Sequence, residues 1–239
     1  GVRIVTNARL DSDSYKTETD NVFISAKLQD KEEHFTAEKL LLCVGREANI
    51  HGIGLENTDI EIDNGFIKVS DSYQTKESHM YAIGDVIGGL QLAHVASHEG
   101  LSAIEHIANG KKAPLDVLKV PKCVYSFPEV ASIGLTESAA REQGYALKVG
   151  KFPFKAIGKA LVNGDSDGFV KIIADEETDD ILGIHMVGPH VTDLIGEASL
   201  AKLLDATPWE ISQAIHPHPS LNEVLVESAL AVDKRAIHF

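Results

Sequence analysis

An α/β fold that turns α+β in its C-terminal part is predicted by two features of this sequence. Residues 80–83 read as an apolar strand that runs straight into Gly84-Asp85 and, beyond a Gly88-Gly89 turn, into an alanine-rich helical stretch at residues 93–108. Strand, tight turn and helix in that order build open α/β sheets. Farther along, apolar runs at residues 168–173 and 181–187 flank Asp179-Asp180, which marks a hairpin turn, and helical patterns finish the chain.

In chain order, residues 3–6 and 21–28 read as short strands, the second alternating apolar and polar as a half-exposed antiparallel strand does. Residues 40–44 are continuously apolar, which predicts a fully buried strand closed by Gly45. Another strand is expected at residues 66–69, after Gly65, and the helix at 93–108 ends at Asn109-Gly110. Lys111-Lys112-Ala113-Pro114, with Pro121 soon after, is charged and proline-interrupted, so a second domain is expected from near Val120. It opens with strand and turn at 123–135. A helix follows between Thr136-Glu137-Ser138 and Gly144, then a strand at 146–149. Leu194, Ile195, Ala198, Ala201 and Leu204 are spaced for one helix face, and Leu221, Val224, Leu225, Ser228 and Val232 for the buried stripe of a terminal helix.

With 239 residues, 44% of them hydrophobic, the chain can bury a substantial core. A net charge of −14 argues against nucleic acid or an anionic membrane as the main partner. No apolar run approaches the roughly 20 residues that span a bilayer, and the N-terminus shows no signal core, so a cytoplasmic setting is expected. That N-terminus also lacks an initiator Met, which suggests a piece of something longer. Cys43 and Cys123 are the two cysteines; each lies among apolar neighbours and is expected to be a buried thiol. They form no closely spaced redox pair.

The segment richest in chemistry is His216-Pro217-His218-Pro219-Ser220-Leu221-Asn222-Glu223. An imidazole between prolines, with a carboxylate five residues on, is a way to hold a general base and the partner that fixes its tautomer. The same residues also fit a capping box, Ser220 and Glu223 closing the start of a helix. A metal reading of His216 and His218 is poorer, because nothing completes a ligand set, and no metal site is predicted. Asp85, at the end of its strand, can accept hydrogen bonds from ligand hydroxyls, while the next helix aims its N-terminus at the same place. His94 and His98 mimic a zinc pair without the required order, and a packed or solvated helix face explains them better. His51-Gly52-Ile53-Gly54 lacks the third glycine of a dinucleotide loop.

Taken in order, several segments resemble the C-terminal half of the flavin-dependent pyridine-nucleotide disulfide oxidoreductases, and most closely their dihydrolipoyl dehydrogenase branch. They are Cys43-Val44-Gly45-Arg46, Tyr81-Ala82-Ile83-Gly84-Asp85, Gln91-Leu92-Ala93-His94, Val120-Pro121-Lys122-Cys123-Val124-Tyr125, residues 128–137 and the terminal His216 to Glu223 segment. The resemblance implies that residues 1–45 close an NAD-binding domain, 46–117 form a central FAD-domain segment, and 118–239 form an interface domain of antiparallel sheet with flanking helices. It implies that Asp85 bonds FAD hydroxyls, that Gln91, Leu92, Ala93 and His94 approach the flavin ring through backbone groups, and that Gly45 passes close to NAD. His218 would be the base for dihydrolipoamide, oriented by Glu223 and reaching across a homodimer. Electrons would pass through a disulfide and FAD to NAD+.

The family's redox cysteine pair and both glycine-rich cofactor loops have no counterpart here, so the chain alone is expected to be inactive and to hold FAD and NAD weakly or not at all. Two functions are therefore carried forward. One is a portion of an oxidoreductase; the other is a dimerisation and docking module for the dihydrolipoyl acyltransferase core of a 2-oxo acid dehydrogenase complex.

Overall fold

Three antiparallel strands build the first unit, Gly1–Asn49. The computed structural model describes residues 1–29, 31–111 and 114–238. Strands β1 (Ala8–Glu18), β2 (Asn21–Leu28) and β3 (Lys31–Ala37) pair antiparallel in that order. The β1–β2 ladder shifts register between Asp11 and Lys16, and there Ser14 Oγ accepts the Ser25 N–H at 2.7 Å.

Two strands expected in this unit are not formed. Residues 3–6 and 40–44 belong to no ladder among the described residues, and Leu41 and Val44 are 85% and 83% exposed. A continuously apolar strand is stable only between neighbours, and the meander supplies it with none. Cys43, expected to be buried, is exposed for the same reason, while Cys123 is half-buried.

In the second unit, Ile50–Phe239, β4 (Ile62–Asp63) and β5 (Phe66–Ile67) form a hairpin over Asn64-Gly65, both at positive φ as a two-residue hairpin turn requires. The strand expected at residues 80–83 shrinks to one bridge between Gln74 and Tyr81, since no parallel neighbour extends the ladder. Helix α1 (Ala93–Asn109) occupies its expected span, and Gly110 ends it in the left-handed conformation with its N–H on His106 O. Of the expected boundary at 111–114, Lys112 and Ala113 lie outside the described residues.

Beyond it stands a five-stranded antiparallel sheet in the order β6 (Lys122–Val124), β7 (Glu129–Gly134), β10 (Ile181–Gly188), β9 (Phe169–Asp175), β8 (Leu147–Pro153). The short helices α2 (Glu137–Glu142) and α3 (Gly158–Asn163) connect strands, and α4 (Val191–Leu203), α5 (Pro208–Gln213) and α6 (Glu223–Val232) follow the last one. Alternation puts Ala131, Ile133, Phe152, Val170, Ile172, Ile184 and Met186 into one buried layer, where each large side chain contributes roughly 1.5–3 kcal/mol. Helix α4 packs on β7 and β10, and α6 on β8, β9 and α5. The buried stripe of α4 is as expected except for Leu204, which lies one residue past the helix and is 69% exposed.

Helix α6 lies directly on bare backbone at Gly150 of β8. A Cβ there would come 2.2 Å from Ser228 O and 2.5 Å from Val232 N, so only glycine permits the approach. Forcing a methyl into such a contact costs typically about 1–3 kcal/mol. Gly150→Ala is therefore expected to lower the stability measured by urea denaturation by about 3 kcal/mol. An unchanged unfolding midpoint would mean that α6 is free to move away from the sheet.

Candidate functional site

The loop between α5 and α6 is pinned from one side by a single carboxylate. Glu197, on α4, bonds His216 Nε2 at 2.7 Å through one oxygen and accepts the Asn222 side-chain amide at 3.1 Å through the other. His216 Nδ1 faces Ala214 O at 2.9 Å, and Pro217 and Pro219 restrict the backbone on either side of His218. The two anchors thus flank His218, whose own side chain is 77% exposed. The His216 and His218 rings bond different carboxylates.

His218 Nδ1 lies 2.8 Å from Glu223 Oε1, and Glu223 Oε2 accepts the Ser220 N–H at 2.9 Å. Half of the capping box is therefore built: the carboxylate reaches back to the loop, but Asn222 occupies the N-cap, and Ser220 Oγ is buried with no hydrogen-bond partner among the described residues. Burial pushes the Glu223 carboxyl upward. The Ser220 amide, the bond to His218 and the charges of His218 and His238 outweigh burial and hold it below the usual range. An ionised carboxylate only accepts, so Nδ1 of His218 must carry its proton, and the neutral ring presents an Nε2 lone pair outward.

A second group of predicted residues gathers at the start of α1. Gly84 has φ +77 and opens a short 3-10 turn, Gly84–Ile87, on which Asp85 is exposed. The Gly84 N–H donates to Glu99 Oε2 at 2.7 Å, and Glu99 is only 7% exposed. Gln91 has φ +30 and Leu92 is an extended N-cap; α1 then begins at Ala93 with no side-chain cap and no acidic residue in its first turn. Its first N–H groups therefore keep their partial positive charge. His94 Nε2 faces Pro121 O at 3.0 Å, and His98 Nδ1 faces His94 O at 3.0 Å. Among the described residues no group of three or more His, Cys, Asp or Glu could hold a metal ion.

Gly45 belongs to the first unit, with φ +135, a conformation that favours glycine, and open space where a Cβ would stand. Sequence reasoning missed Glu99 and Glu197. Glu99 carries a legible signal, since it stands between Val95 and Ala103 at four-residue spacing on the buried stripe of α1. Glu197 carries none, its partners lying 19 and 25 residues away.

A family model described as pyridine nucleotide-disulphide oxidoreductase matches residues 1–100, and one described as the dimerisation domain of the same oxidoreductases matches residues 120–229. The chain is 61% identical over 239 residues to a dihydrolipoyl dehydrogenase of Bacillus subtilis, covering 100% of this chain and 50% of that protein. To a mitochondrial dihydrolipoyl dehydrogenase of Caenorhabditis elegans it is 39% identical over 232 residues, covering 97% and 47%. It thus spans about half the length of the curated relatives it matches. The crystal structure of LpdA from Mycobacterium tuberculosis superposes with a TM-score of 0.86 at 28% identity, over 96% of this chain and 49% of that one. A Cu(II) complex of the flavoprotein disulfide reductase RclA from Escherichia coli gives 0.85 at 26% identity, over 96% and 51%.

Because the folded carboxyl of Glu223 titrates below its unfolded value, its contribution to stability is complete above that unfolded value, about pH 4.3, and is lost as pH falls through the folded one. The wild-type chain is expected to melt higher than Glu223→Gln at about pH 7, with the gap narrowing as the pH falls below the unfolded value. A gap independent of pH would contradict an ionised Glu223.

Proposed function

The chain belongs to the pyridine nucleotide-disulphide oxidoreductases, and from that premise we propose that it is the C-terminal portion of a cytoplasmic dihydrolipoyl dehydrogenase in which His218 is the base for the dithiol. The observation that carries this reading is the exposed His218 imidazole held at 2.8 Å by an ionised Glu223. Nε2 takes the proton of a dihydrolipoamide thiol, because the thiolate and not the thiol attacks a disulfide. Glu223 fixes the tautomer and stabilises the imidazolium that results. The Glu197 clamp holds the loop, so the ring is placed before substrate arrives.

The start of α1 fits FAD: Asp85, exposed on its turn, would accept hydrogen bonds from ribityl hydroxyls, and an uncapped helix N-terminus suits the electron-rich edge of a flavin ring. FAD, when bound, supplies the two-electron relay between the dithiol and NAD+. Glu99 holds the turn that carries Asp85, and backbone groups from Gln91 to His94 would line the approach to the ring. Gly45, in a conformation that leaves backbone uncovered, would pass close to NAD. In this reading residues 1–45 close the NAD-binding domain, 46–117 belong to the FAD domain and 118–239 form the interface of a homodimer, which the acyltransferase core of a 2-oxo acid dehydrogenase complex would bind. A docking module without activity of its own is the second reading, favoured by the dimerisation-domain match over residues 120–229. Bound flavin in the purified chain would exclude it.

In a complete, flavin-loaded enzyme carrying this sequence, His218→Gln is expected to lower kcat/KM for dihydrolipoamide by about 100- to 10,000-fold. Reduction of a dye by NADH, which needs no thiol base, should be retained. Glu223→Gln should lower the same parameter, with a smaller loss. Wild-type dihydrolipoamide turnover by His218→Gln would overturn the assignment.

A further inference from the structure

Alternation along the strands gives the five-stranded sheet a second face, turned away from α4 and α6, and the register of the ladders composes that face row by row. Lys122 of β6 stands beside Ser132 of β7, Ser132 beside His185 of β10, His185 beside Lys171 of β9, and Lys171 beside Lys151 of β8. One unbroken row across all five strands therefore carries three lysines, a histidine and a serine, in a chain whose net charge is −14. Two residues along, the same ladders align Val124, Val130, Val187, Phe169 and Pro153. With strands about 4.8 Å apart, a basic row and an apolar row run side by side for roughly 19 Å.

Like charges side by side on adjacent strands cost stability, so the basic row calls for anions opposite it. Within the chain Glu137 of α2 meets the row at Lys171, 3.2 Å away, and shares itself with Arg141 at 2.9 Å. Lys122 and Lys151 are exposed, Lys151 lying 3.9 Å from the Phe169 ring centroid. Burial holds the His185 ring below its usual pKa, and against its bond to Leu135 O the charges of Lys171 and Lys122 press the same way. In the apolar row Val124 and Val130 are 57% and 36% exposed. A cavity of about 310 Å³, lined among others by Ser132, Lys171, His185, Val130, Val187 and Phe169, spans both rows.

We propose that this face docks a short acidic protein segment, its carboxylates on the row from Lys122 to Lys151 and its apolar side chains on Val124, Val130, Val187 and Phe169. Charge complementarity selects this occupant. A second copy set face to face about a two-fold axis offers the same two rows again and places lysines or valines opposite the lysines. A nucleic-acid backbone neutralises the lysines and leaves the apolar row bare. None of these residues belongs to the His218 site, so the docking face stands or falls apart from the reading of His218 as a base.

The test is an NMR titration of the nitrogen-15-labelled 239-residue chain with a synthetic peptide of glutamate and leucine. Amide shifts are expected to concentrate around Lys122, Ser132, Lys171 and His185, and added salt should weaken the binding. The double variant Lys122→Gln, Lys151→Gln changes two exposed side chains and should raise the Kd by roughly 2- to 30-fold. The same peptide with glutamine in place of glutamate should bind more weakly by at least as much. Equal binding by the double variant, equal binding of the glutamine peptide, or shifts elsewhere on the chain would overturn the proposal. So would shifts on this face that come from raising the chain's own concentration, from oligothymidylate or from phosphatidylserine vesicles while the acidic peptide leaves it unmoved.

Discussion

Everything the candidate site can do depends on the Glu223 carboxylate being bonded at both oxygens. One oxygen receives the His218 ring and the other receives the Ser220 backbone, so the same charge that starts α6 also orients the imidazole. A carboxylate bonded at one oxygen could rotate and take the ring with it. Bonded at two, it fixes the plane of the acceptor and hence the direction of Nδ1. The bond back to the Ser220 backbone and the bond to the His218 ring, which read as competing explanations of one short sequence, belong to one side chain.

That arrangement is only as rigid as the helix beneath it. Gly150 lets α6 settle onto β8, where Ser228 Oγ bonds Val224 O at 2.7 Å and reaches Val170 O at 3.3 Å, so the helix is registered against the sheet by contact and by hydrogen bond. From the other side Glu197 of α4 grips the loop on both flanks of His218. The His218 imidazole is therefore exposed at its ring yet fixed at its root, as the proposed proton transfer to an incoming ligand requires.

What could be read from the sequence followed the range of the forces involved. Local signals were legible: the Gly110 cap of α1, the buried stripe of α6, the hairpin around Asp179-Asp180 and the His218 with Glu223 spacing are all set by residues within a few positions. Residues 40–44 read as a buried strand because their composition is apolar, but composition does not say whether a neighbouring strand is at hand, and among the described residues none pairs with them. Glu197 escaped notice because a half-buried acid announces itself only through partners that the fold brings from 19 and 25 residues away. The family itself was legible because motifs in fixed order constrain far more than any one of them does.

The central claim is that Glu223 dictates the tautomer of His218 before any substrate is present. Nitrogen-15 NMR of the histidine rings reads this directly at a pH where His218 is neutral. The account predicts a protonated Nδ1 and a bare Nε2 in the wild-type chain, and loss of that preference in Glu223→Ala. A protonated Nε2 in the wild type, or a tautomer unchanged by removing the carboxylate, would contradict it.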